Sequence, residues 1–123
     1  LPIFQSTRQD PAIASKAAMV EQIRAQAEDA RRAHAAEIGA MLADWNAAKT
    51  RIQRYKDELL PLAHERTEVA LAAYRGGKAD LMPVLEARRG EIETRMNYLM
   101  AQSELARSWA QLNAMLPDRK DPS

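Results

Sequence analysis

The stretch Ile38 to Leu62, IGAMLADWNAAKTRIQRYKDELLPL, decides the fold. Its apolar residues fall at Ile38, Met41, Trp45, Ala48, Ile52, Tyr55, Leu59 and Leu62, in unbroken alternating steps of three and four. An α-helix turns about 100° per residue, so this rhythm keeps one stripe aimed at a partner helix, as in a coiled coil. Upstream, Val20, Ile23, Ala27 and Ala30 begin a similar rhythm offset by one residue. Downstream, Leu81, Leu85, Ile92, Met96, Leu99, Ala106, Trp109 and Leu116 offer an answering seam. Two seams on one chain predict an all-α fold, a long antiparallel coiled-coil helical hairpin.

Gly and Pro set the boundaries. Asp10-Pro11 resembles an N-cap followed by proline in the first helical turn. No strong stop follows until Gly76-Gly77, and Asp80 is placed to cap a second helix that tolerates Pro83 in its first turn. The expected organisation is a strand-like end and linker over 1–10, a hairpin over 11–117 and a disordered tail over 118–123. Within the hairpin the arms are 12–75 and 80–116, joined by a tip turn at 76–79. At 1.5 Å per residue the arms are unequal, roughly 95 Å against 57 Å, so the excess of the first must find partners outside the hairpin.

Composition narrows the function. The 123 residues are 46% hydrophobic, but 24 of them are Ala and only six are aromatic, which favours close helix packing over a thick core. Ala14, Ala18, Ala25, Ala36, Ala40, Ala43 and Ala47 share a face roughly opposite the bulky seam. A helix with seams on two sides suits a wall of helices. Eighteen basic and 17 acidic residues are interleaved to a net charge of +1, which gives no polycationic surface for nucleic acid. Cysteine is absent, so disulfides, thiolate metal sites and cysteine nucleophiles are excluded.

Other candidate sites are read as structural. His34 and His64 lie 30 residues apart, and although Glu68 stands four residues beyond His64, neither has a second His at that spacing, so no two-His helical metal site is expected. The methionines read as packing, and Arg88, Arg89 and Arg95 with Glu86, Glu91 and Glu93 read as a solvated charged face. Pro61 interrupts the heptads and predicts a helix kink in preference to a hinge, with Pro61→Ala raising thermal stability. No phosphate-binding loop, Ser/His/Asp arrangement or desolvated acid pair points to catalysis, and no cofactor is expected.

Leu1-Pro-Ile-Phe4, Leu59-Leu-Pro-Leu-Ala63, Tyr74-Arg-Gly-Gly77 and Val84-Leu-Glu-Ala-Arg88, in this order, resemble the second repeat of the TolC-like outer-membrane efflux channels. The heavy-metal branch, which exports cobalt, zinc and cadmium or copper and silver, is the most similar. The resemblance implies a homotrimeric conduit with a β-barrel in the outer membrane and an α-helical barrel in the periplasm of a Gram-negative bacterium. It implies docking through a periplasmic adaptor to an inner-membrane pump, with no chemistry in the channel. Leu1 to Phe4 would then end a barrel strand, and the chain would be part of a longer subunit. Tyr74, Arg75, Gly76, Gly77 and Lys78 correspond to the periplasmic tip that meets the adaptor. Some relatives place two pore-facing carboxylates one turn apart beyond the tip; Pro83 and Glu86 stand there, which leaves Glu86 as a single ring of three charges. A basic residue that locks the tip in some relatives is replaced by Ala79. The alternatives are the hairpin of a periplasmic adaptor and a free-standing structural coiled coil.

Overall fold

The computed structural model describes residues 3–116, all helical apart from the turn at the tip and the last residue. Helix α1 spans Ile3–Arg54, a π-helical turn follows at Tyr55–Leu59, and α2 (Leu60–Arg75) and α3 (Met82–Met115) complete the chain. The residues divide into two units, one up to Gly39 and one from Ala40 onward.

In the first unit the helix already includes Ile3 and Phe4, where extended residues were expected, and it runs through Pro11 instead of starting there. Nucleating a helix is the costly step, and extending an existing one past a single missing N–H is cheaper than beginning anew. Leu1 and Pro2 lie outside the described residues, as does the expected tail over 118–123. Side chains 11–37 are all exposed. Arg32 pairs with Glu28 at 3.3 Å and Asp29 at 3.9 Å, surface contacts of little energetic weight.

The second unit is the hairpin. On its first arm Met41, Trp45, Tyr55 and Leu59 are half-buried and Ala48 and Ile52 buried, following the expected seam. The seam changes face at the π turn. There the Leu60 N–H donates to the Tyr55 carbonyl five residues back, so one additional residue is wound into the helix. Everything beyond is displaced by one position: Leu62 is 46% exposed, while Ala63 and Ala70 are half-buried and Thr67 is 1% exposed. Pro61 falls in the first turn of α2, immediately after the π turn.

The expected seam of the second arm is overturned. Leu81, Leu85, Ile92, Met96, Leu99, Trp109 and Leu116 are 48–58% exposed, and Ala106 is exposed as well. The inner face is instead two interleaved heptad rows, Val84, Glu91, Tyr98, Leu105, Leu112 and Ala87, Thr94, Ala101, Ser108, Met115. Small residues on both arms let the backbones approach, and a bulky row in that position would hold them apart. Tyr55 meets Tyr98 across the interface with ring centroids 6.1 Å apart at 51°.

Helix α2 ends in a Schellman motif. The Gly77 N–H donates to the Tyr74 carbonyl at 3.0 Å and the Lys78 N–H to that of Ala73 at 2.9 Å, with Gly77 at φ +68°. The turn extends to Leu81, beyond the expected 76–79. Leu81, not Asp80, holds the N-cap position of α3 and makes no side-chain cap; Pro83 lies in the first turn.

Candidate functional site

The tip residues are gathered by the Schellman motif. Tyr74 is 44% exposed and Arg75, Gly76, Gly77 and Lys78 are exposed with it, so the end of the hairpin presents one aromatic ring and two cations around a glycine turn. Glu86 is exposed on the next turn of α3. It lines a shallow groove with Arg66, Glu91 and Glu93 at the α2–α3 contact. Pro61 is exposed on α2 and is not part of the tip.

A second cluster was not anticipated. Glu91 belongs to the inner face, and its side chain is only 8% exposed, which corrects its reading as part of a solvated charged face. Its Oε1 lies 3.1 Å from His64 Nδ1, which donates when it carries the proton, and Oε2 accepts from Arg88 at 3.1 Å. Arg95 stands 4.0 Å away on the next turn. The Thr67 hydroxyl, almost fully buried opposite, donates to the Ala63 carbonyl at 3.2 Å. The carboxyl is held below the usual carboxylate range foremost by the His64 hydrogen bond, then by the Thr67 hydroxyl and the Arg88 charge, against burial, which pushes it up. The signal in the sequence was the seven-residue spacing Val84, Glu91, Tyr98, Leu105, Leu112, in which Glu91 is the one charged member.

Further from the tip the arms form an open apolar groove of about 640 Å³ between Trp45, Ile52, Leu105 and Trp109. Lys49 lies over the Trp45 ring at 4.3 Å, and Arg51 donates to Glu104 across the arms at 2.7 Å. Among the described residues no three His, Asp or Glu side chains come together to hold a metal ion. No helix among them is long and apolar enough to cross a membrane. The hairpin thus has a Schellman turn at its tip, a polar clasp inside and a bulky apolar row left outside.

The family model of the outer membrane efflux proteins matches residues 1–117. No curated protein and no solved structure matches the chain.

Proposed function

From the premise that the chain belongs to the outer membrane efflux protein family, whose members are transport conduits and not enzymes, we propose that its hairpin is a stave of the periplasmic helical barrel in a trimeric channel. The observation that carries this reading is the row Leu85, Ile92, Met96 and Leu99, each more than half exposed on the outside of α3. A half-exposed Leu or Ile forgoes on the order of 1 kcal/mol of burial, and such a contiguous apolar row needs neighbouring helices on that flank. The exposed Ala row at Ala40, Ala43 and Ala47 supplies a close-packing flank on the first arm.

In this role the channel is passive: an inner-membrane pump supplies the energy, and the hairpin supplies wall and tip. Tyr74, Arg75, Gly76, Gly77 and Lys78 meet a periplasmic adaptor, and Glu86 contributes one carboxylate per subunit to a ring of three facing the pore. The exported species is a metal ion, on the strength of the motif order shared with the heavy-metal branch. No observation favours the adaptor hairpin or the free-standing coiled coil.

Replacing Gly77 by Pro in the full-length channel tests the tip. Proline cannot adopt φ +68°, so the Schellman turn is lost. Loss of adaptor cross-linking and of metal resistance, with the trimer retained, is the expected result. Intact cross-linking and resistance would place the tip elsewhere.

A further inference from the structure

Helix α2 carries two seams. The one in use is Ala63, Thr67 and Ala70. One residue earlier stands Leu62, Arg66 and Val69, the set that continues the uninterrupted rhythm of Ile52, Tyr55 and Leu59. Leu62 and Val69 are 46% and 63% exposed. Only the additional residue wound into Tyr55–Leu59 decides which set faces α3, since one residue corresponds to about 100° of helix rotation.

We propose that α2 is a two-position element, with the π turn at Tyr55–Leu59 holding the small Ala63/Thr67/Ala70 face against α3 and its relaxation to regular α-helix turning in the Leu62/Arg66/Val69 face. The partner surface accepts both. Glu91 now bonds His64 beside Thr67, and Arg66 already lines the same groove as Glu91, so turning α2 exchanges the imidazole for a guanidinium without stranding the carboxylate. The small face allows close approach of the arms and the bulky face requires a wider one, so the two positions differ in the separation of α2 from α3. Pro61 biases the choice. Lacking an N–H, it leaves the carbonyl four residues back without its regular helical partner, and the π turn sits immediately ahead of it.

The absence of native cysteine makes single-cysteine reporters clean. Thr67→Cys and Val69→Cys are made separately in the 123-residue chain and labelled with a water-soluble maleimide, with helicity followed by far-UV circular dichroism. With Pro61 present, the thiol at position 69 labels faster than the thiol at position 67. In the Pro61→Ala background the ratio of the two rates inverts while helicity is kept. Deleting Glu58, which removes the additional residue but keeps the downstream face, leaves the Val69→Cys reporter the faster. An unchanged ratio after Pro61→Ala, acceleration of both sites together, or inversion on deleting Glu58 would each overturn the two-position reading.

Discussion

At the scale of single residues, Glu91 is the most consequential side chain that its letter alone misplaces. A carboxylate on a coiled-coil face is costly unless its oxygens are occupied, and here His64 and Arg88 occupy one each. Because its folded pKa is lowered, the unfolded chain takes up the proton first as pH falls. The stabilisation is therefore complete above the ordinary carboxylate value of about 4.3 and is lost as pH drops through the lower folded value. Thermal melts should show the hairpin weakening below that range, and Glu91→Gln should flatten this part of the profile. Arg51 makes a useful contrast. Its cross-arm pair with Glu104 is short, but both side chains are more than half exposed, so Arg51→Ala should cost less than about 1 kcal/mol by urea denaturation.

Helices α2 and α3 show how a seam is chosen. Thr67 is almost fully buried between the arms, and Thr67→Leu should destabilise the hairpin by about 1–3 kcal/mol through overpacking, with α3 pushed away. At the tip, a Cβ on Gly77 would meet no atom within 4 Å, so Gly77→Ala should cost only its left-handed backbone, about 1–2 kcal/mol. The first arm was legible from Met41 to Leu59 because its inner face is also its bulkiest. The second was not, because α3 buries Ala, Thr and Ser and leaves Leu, Ile and Met outside; ranking residues by size picks the wrong row. The change of face after Leu59 was hidden too, since nothing but Pro61 announces an additional residue in the winding. The turn itself was legible because a Gly pair ends a helix readily, and Gly77 takes the left-handed conformation the Schellman motif needs.

For the whole molecule, the proposed role makes the hairpin one member of a wall, with neighbouring helices in place of a core of its own. Of its large apolar residues, Leu85, Ile92, Met96 and Leu99 all remain more than half in water. Concentrated solutions of the chain should therefore self-associate, and replacing Ile92 and Leu99 with Gln should suppress that association while leaving helicity intact. A strictly monomeric chain by light scattering would count against both the α3 row and the Ala row as packing flanks. The most direct test is the solvent accessibility of position 92 in the assembled full-length channel. With Ile92→Cys as a single reporter, a water-soluble maleimide should label the unfolded subunit readily and the assembled channel hardly at all. Free labelling at position 92 in the assembled channel would contradict the placement of this hairpin as a stave packed against its neighbours through α3.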